Sequence, residues 1–301
     1  MEKIRPIKIF PGQKVTDLVS QMKEAGFGAR KIGLASDIAE EMFNEKNCQV
    51  FLGLAGAMVP AGMKQIIIDL IKKKHVNVIV TTGANLTHDL IEALGDSHYH
   101  CDKWDDEEFE KKGYYRMYNV LMKNKVYEKL EGFFEEHWEE FKKTKNIKDF
   151  IKKIGELLPG SSNSILRQAY ENDCSIYSPA LADSGIGLMI WGRLAAGKGI
   201  SIDAFEDMKD IIDKAWTSEK KGIIYIGGGT PKNFIQQSLQ FSSGADYGIQ
   251  ITTDSVASGG SSGAPLVEGK SWGKLKTDAK FVDVKCDATI ALPLIFSKHL
   301  G

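Results

Sequence analysis

The stretch Ser271-Trp272-Gly273-Lys274 places a lysine beside an indole, shortly after a Ser/Gly-rich loop. Apolar surroundings disfavour an ammonium, so a lysine in such a setting can offer a free amine to an imine or carbonyl near neutral pH. A surface lysine after a turn has the same short sequence, and the rest of the chain must decide between the two. Other reactive groupings are thinner. His98-Tyr99-His100-Cys101 packs three possible metal ligands into four residues; a closed site needs further ligands, no second cluster is evident, and no metal is expected. A hydrolytic serine lacks its G-x-S-x-G elbow, which leaves only a dispersed triad. The acids Asp105-Asp106-Glu107-Glu108 project in different directions from consecutive positions, and they read as a solvated helix start rather than a cation site.

Five small-residue turns follow apolar runs. Gly53, Gly56 and Gly62 flank the first run, Thr81-Thr82-Gly83-Ala84 ends the second and Asp183-Ser184-Gly185 follows the third. Gly227-Gly228-Gly229 ends the fourth and Thr252-Thr253-Asp254 the fifth. Ligands of doubly wound sheets sit at the carboxyl ends of the strands, where small residues let backbone approach a phosphate or ribose and a helix N-terminus offers free N–H groups. Each turn alone is ordinary loop punctuation, whereas five together fit a nucleotide cofactor. No G-x-G-x-x-G or Walker A sequence is present, which argues against an ordinary Rossmann dehydrogenase and a P-loop enzyme. His88 follows the second turn; it either faces the same cleft or packs and caps at a helix N-terminus.

The elements that position these residues alternate in type. Short β-branched runs predict strands at Gln49 to Leu54, Val76 to Thr82, Ser175 to Leu181, Gly222 to Ile226, Tyr247 to Thr253 and Ala288 to Leu292. Amphipathic stretches between them predict helices, including Ala61 to Lys74, with Pro60 near its first turn, and one with Thr230 as N-cap and Pro231 at its first position. The charged segment Asp102 to Lys145 reads as helical. The expected fold is α/β, a doubly wound, mainly parallel Rossmann-like sheet with helical additions, in a single domain over residues 1–301.

Composition excludes several classes of function. The 301 residues are 43% hydrophobic and 26% charged, enough for a sizeable core, and the formal net charge of −1 favours neither nucleic acid nor an anionic membrane. Cys48, Cys101, Cys174 and Cys286 form no C-x-x-C pair and suggest reduced thiols in the cytoplasm. The N-terminal residues lack an apolar signal region, and no run reaches the ~18 apolar residues of a membrane span.

With lysine and strand ends taken jointly, the chain resembles the deoxyhypusine synthase family along nearly its whole length. The blocks carrying the resemblance, in order, are Phe51-Leu52-Gly53 with Gly62, Val80-Thr81-Thr82 with Asp89-Leu90, Ser178-Pro179-Ala180-Leu181 with Asp183, and Gly227-Gly228-Gly229. Gly244-Ala245-Asp246-Tyr247, Ser262-Gly263-Ala264, Glu268, Ser271-Trp272-Gly273-Lys274 and Asp287-Ala288 complete them. The resemblance implies an NAD-dependent aminoalkyl transferase, a homotetramer with active sites shared across a dimer interface; the family's extra N-terminal helical segment is not expected here. It implies Lys274 as nucleophile, Trp272 as a wall for an aliphatic chain and Glu268 as partner of a substrate ammonium. It places NAD against Gly56, Ala57, Met58, Val59 and Pro60, then Thr82, Gly83 and Ala84, Asp183, Gly228, Thr253 and Asp254, and Asp287 and Ala288.

Four substrate-binding positions depart from the family pattern for spermidine. His88 stands where a glutamate is expected, Leu188 and Ser261 where aspartates are expected, and Asn233 where a histidine is expected. Three carboxylates are thereby missing, and a polyamine ammonium without a partner is costly in a desolvated pocket. The expected function is therefore a lysine-imine aminoalkyl transfer from a small diamine, an agmatine-like amine or a polyamine. Deoxyhypusine synthase proper, acting with spermidine on a translation factor precursor, is the alternative within the enzyme class. A catalytically silent NAD-binding regulatory paralogue is the alternative outside it.

Overall fold

The structure, a computed structural model, describes residues 3–300. Nine strands occur among them: β1 Cys48–Leu54, β2 Val78–Thr81, β3 Tyr99–His100, β4 Tyr114–Met117, β5 Val120–Lys123, β6 Ser175–Tyr177, β7 Lys220–Ile226, β8 Ala245–Thr252 and β9 Leu275–Lys285. Six form one parallel sheet in the order β6-β2-β1-β7-β8-β9, and three form a small antiparallel sheet, β3-β5-β4. The chain moves outward from β1 to β2 and β6, then returns to the other side of β1 with β7 and continues to β8 and β9. The order thus reverses between β1 and β7, and at their carboxyl ends the connections leave in opposite directions and open a crevice.

Alternation within the strands fills both faces. Leu52, Leu54, Ile79, Ile224, Ile226, Ile249 and Ile251 point into one buried cluster, which also takes Ile32, Ala35, Ala39 and Met42 of the helix Phe27–Asn44. Phe51, Val78, Val80, Tyr177, Ile223 and Tyr225 point into the other, with Ile211 and Ala215 of the helix Ala204–Thr217 and Ile235 and Leu239 of the helix Gly229–Gln240. Helices on both faces leave the central strands no polar side, which is why they read as continuous apolar runs.

Several local expectations are corrected. Ala288 to Leu292 is the start of a helix, Ala288–Ile295, because Asp287 caps it, accepting from the Thr289 N–H at 2.7 Å. The sixth strand of the sheet is β9 instead, whose charged alternation hides it. Asp102 to Lys145 is not helical throughout: the helix Asp106–Lys111 leads into the hairpin β4–β5, and only then does the helix Val126–Phe141 begin. Asp105 caps the first of these helices by accepting from Glu108 N–H at 3.0 Å. The helix predicted from Ala61 runs from Lys64 to Lys72, and Pro60 lies in the turn before it. The helix after the glycines begins at Gly229 with Gly228 as its cap residue, so Thr230 is inside its first turn rather than capping it.

Candidate active site

At the carboxyl ends of β1, β7 and β8 lies a cleft of about 570 Å³. Its floor is the loop after β1, with Ala55, Gly56, Ala57, Met58 and Ala61; its walls are Ile226 and Gly227, Ile251 to Thr253, and Cys286 to Thr289. Gly56 and Gly227 carry φ values of 77° and 72°, which a Cβ would make costly. The first loop is shaped by Asn85 in the helix Gly83–Ala93, whose Oδ1 accepts from Met58 N–H at 3.1 Å while Thr81 Oγ1 donates to the Leu54 carbonyl at 2.9 Å. Thr82 caps that helix, accepting from Asn85 N–H. Asp287 is held ionised below the usual carboxylate range by the Thr289 hydroxyl and N–H.

Lys274 lines a second cavity, of about 300 Å³, with Asn233, Ser261, Glu268 and Trp272. The helix Gly229–Gln240 supplies Gln236, Gln237 and Gln240 to its wall, and the loop supplies Ala264, Pro265 and Gly269. Lys274 is half-buried, with its Nζ 4.9 Å from the centre of the Trp272 ring, a cation–π distance. Its backbone is fixed: the N–H donates to the Gly269 carbonyl at 2.8 Å and its carbonyl accepts from Ala245 N–H at 3.1 Å. The Ser/Gly-rich loop is built as tightly. Asp254 accepts from Ser255 N–H at 2.8 Å and from the Ser262 hydroxyl, which keeps its carboxyl below the ordinary range. Gly228 lies so close to this loop that a Cβ there would stand 2.2 Å from Ser262 Cα. Beneath it Lys232, 1% exposed, donates from Nζ to the carbonyls of Ser261 and Ala264. Burial lowers Lys232 to about 8.

The expected residues therefore separate into groups. Gly56, Ala57, Met58, Thr253, Asp287 and Ala288 meet in the cleft, while Asn233, Ser261, Glu268, Trp272 and Lys274 meet in the cavity. Gly228 and Asp254 stand behind the loop that walls the cavity. Val59 is buried and Pro60 half-buried in the loop behind the cleft. Thr82, Gly83 and Ala84 open the helix beside it, and Gly83 abuts Ser184, the neighbour of exposed Asp183. Leu188 is not at the cavity in a single chain: it is 52% exposed beside Met189 and Trp191, in a different depression of the surface.

His88 lines neither space. It is buried in the helix Gly83–Ala93, its Nδ1 3.0 Å from His98 Nε2, and His98 Nδ1 lies 2.7 Å from Glu92 Oε1. Glu92 also pairs with Lys64. A carboxylate at Nδ1 of His98 fixes that nitrogen as donor, so with both rings neutral His98 Nε2 accepts and His88 Nδ1 donates, leaving the unprotonated lone pair on His88 Nε2. Burial, and then the neighbouring His98, lower His88 to about 4. Asp89 is structural: wholly buried, it accepts from Ser164 Oγ at 2.7 Å and from the N–H groups of Ile165 and Leu166 at 2.9 Å, capping the helix Ile165–Glu171.

Residues that the sequence did not single out complete both spaces. Tyr118 and Asn119, at the tip of β4–β5, reach the cleft, and no glycine marked that turn. Gln236, Gln237 and Gln240 carry a helical repeat of polar residues near Asn233 that was visible in the sequence. Among the described residues no helix is long and apolar enough to cross a membrane.

The model of the family described as "Deoxyhypusine synthase" matches residues 17–299. The chain is 41% identical over 297 residues to "Probable deoxyhypusine synthase 1" of Methanosarcina acetivorans, covering 98% of this chain and 93% of that protein. It is 41% identical over 289 residues to "Probable deoxyhypusine synthase 2" of Archaeoglobus fulgidus, covering 93% and 96%. A crystal structure from Entamoeba histolytica whose description names deoxyhypusine synthase shares the fold with a TM-score of 0.65 at 20% identity, over 95% of this chain and 93% of that one. Matched along its length by the family model and by relatives of about its own size, the chain belongs to the deoxyhypusine synthase family, transferases of alkyl groups other than methyl.

Proposed function

We propose that the chain is an NAD-dependent aminoalkyl transferase that works through an imine on Lys274 and takes its alkyl group from a small amine. The observation carrying this reading is the juxtaposition in one cavity of Lys274, the Trp272 ring and a single carboxylate, Glu268. The cleft suits a dinucleotide: it has the size of a ligand site, its floor is alanine and glycine, and it lies at the reversal of strand order. Gly56, Ala57, Met58, Thr253, Asp287 and Ala288 would hold the cofactor there.

NAD held there would supply the redox chemistry, taking hydride from the carbon beside the donor's amine nitrogen so that an imine forms, and returning that hydride to the acceptor imine once the alkyl group has been passed on. Lys274 Nζ attacks that imine carbon, the original amine leaves with the proton that Nζ gives up, and Lys274 keeps the alkyl group as its own imine until an acceptor amine displaces it. Glu268 pairs with an ammonium, and Trp272 shields the methylene chain from water. One carboxylate in the cavity matches one distal ammonium, as in a small diamine; a guanidinium presents the same single charge.

Lys274 and Trp272 remain partly open to solvent, and the helix Gly185–Ala195 exposes Leu188, Trp191 and Leu194. These support a homotetramer in which a second chain encloses the site. Incubation with NAD and putrescine, agmatine or spermidine, followed by borohydride, should add the corresponding alkyl mass at Lys274. No adduct with any of the three overturns the reading. The names of the relatives favour a second one, deoxyhypusine synthase with spermidine; transfer from spermidine to the factor precursor, with no adduct from the shorter amines, would establish it.

A further inference from the structure

The hairpin β4–β5 turns at Tyr118-Asn119, and both residues stand on the wall of the cleft. Tyr118 has φ of 51°. This is the left-handed region, in which a Cβ crowds the following carbonyl and where two-residue hairpin turns ordinarily place Asn, Asp or Gly. The Tyr118 side chain is 80% exposed and stacks on no other ring among the described residues, so burial does not hold it there.

The neighbours do. Arg116 Nη1 donates to the Tyr118 carbonyl at 2.9 Å, and the same guanidinium forks onto Asp106 at 2.6 and 2.7 Å while lying 4.8 Å from the centre of the Trp104 ring. Cys101 N–H donates to the Asn119 carbonyl at 2.9 Å. Both carbonyls of the turn are thus pinned, and an unfavourable backbone conformation is maintained at an exposed tyrosine that lines the cleft. Strain over-determined by its surroundings marks positions kept for a ligand rather than for stability.

We infer that Tyr118 is a stacking platform for a planar heterocycle of the nucleotide in the cleft. The inference rests on the cofactor reading above. Ala55, Gly56 and Ala57 of the loop after β1 line the same cleft as Tyr118, and their small side chains leave room for a flat ring.

Calorimetric titration of NAD, AMP and nicotinamide mononucleotide into the wild type, Tyr118→Phe, Tyr118→Leu and Tyr118→Gly tests it. Stacking requires Phe to bind NAD within about twofold of wild type and Leu to lose roughly 10-fold to 100-fold. Gly should lose as much while melting roughly 2 °C higher, since the backbone strain is relieved. Loss shared with AMP puts the ring over adenine, and loss shared with nicotinamide mononucleotide puts it over nicotinamide. Leu and Gly variants that bind NAD like wild type overturn the inference and leave the cofactor reading standing, as does a Phe variant as weak as Leu. Wild-type protein that binds no dinucleotide overturns the cofactor reading and this inference with it.

Discussion

The cleft and the lysine cavity are built on opposite principles. The cleft is walled by strand ends, small side chains and left-handed glycines, so its shape belongs to the backbone. The cavity is walled by the side chains of Asn233, Gln236, Gln237, Glu268 and Trp272 around a lysine whose own backbone is pinned. A backbone-built wall resists alteration, because changing it disturbs the sheet; a side-chain wall can be refitted one residue at a time. Asn233 and Ser261, two of the positions expected to depart from the family pattern, both line the cavity.

The largest expected effect separates chemistry from binding. Lys274→Ala should cut transfer by more than about 10³-fold and abolish borohydride-trapped adduct, while NAD titrates as in the wild type. A comparable loss of NAD affinity would mean that the two spaces are one site energetically.

The second contrast is between two glycines. Gly228→Ala forces a Cβ to 2.2 Å from Ser262 Cα and should cost about 3 kcal/mol of stability. Gly56→Ala meets nothing nearer than Met58 Cε at 3.5 Å, and its φ of 77° leaves a cost of about 1 kcal/mol. Urea unfolding of the two variants measures the difference, and equal losses would remove the claim that the Ser/Gly loop is the tighter structure.

Lys232 supplies a pH test of the cavity's support. Its pKa of about 8 in the folded chain lies below the ordinary 10.5, so between those values the unfolded chain binds a proton that the folded one has released. Stability from this residue therefore rises with pH across the window and is lowest below pH 8. Relative to Lys232→Met, the wild type should gain about 2 to 3 kcal/mol between pH 8 and 10.5 by denaturant titration. Parallel pH profiles would show that Lys232 is not desolvated beneath the loop.

The smallest effect tests the cleft's rim. Asp287→Ala removes the cap of the helix Ala288–Ile295 and should cost about 1 kcal/mol in thermal or urea unfolding. An unchanged midpoint would mean that the cap contributes nothing beyond what water replaces.

The same division decided what could be read in the sequence. The central strands were legible because both faces are buried, and the turns at Gly56 and Gly227 because glycine tracks backbone geometry. Edge strand β9 was not, since solvent on one side lets Lys276, Asp278 and Lys280 interrupt its apolar pattern. Ala288 to Leu292 was misread because a short apolar run carries no period, and its deciding residue, Asp287, precedes it. The hairpin at Tyr118 lacked the glycine that would have marked it. Trp272 and Lys274 stood out as neighbours in sequence and Glu268 through the family resemblance, and all three line one cavity; the polar repeat of Gln236 and Gln240 is visible in the sequence, but only the packing of their helix brings it to the lysine. Leu188 could not be placed from the sequence: in the single chain it lies 52% exposed on the helix Gly185–Ala195, in a depression separate from the lysine cavity.

The carbonyl of Lys274 is the first rung between β8 and β9, accepting from Ala245 N–H. Any excursion that carries the lysine away from Trp272 through its backbone must break that rung. Strand β9 is bonded along one side only among the described residues, so it opens more cheaply than the interior of the sheet. Hydrogen exchange at the Ala245 amide is accordingly a clock for Lys274, recording how often the lysine's backbone leaves its place and whether an added amine slows that departure.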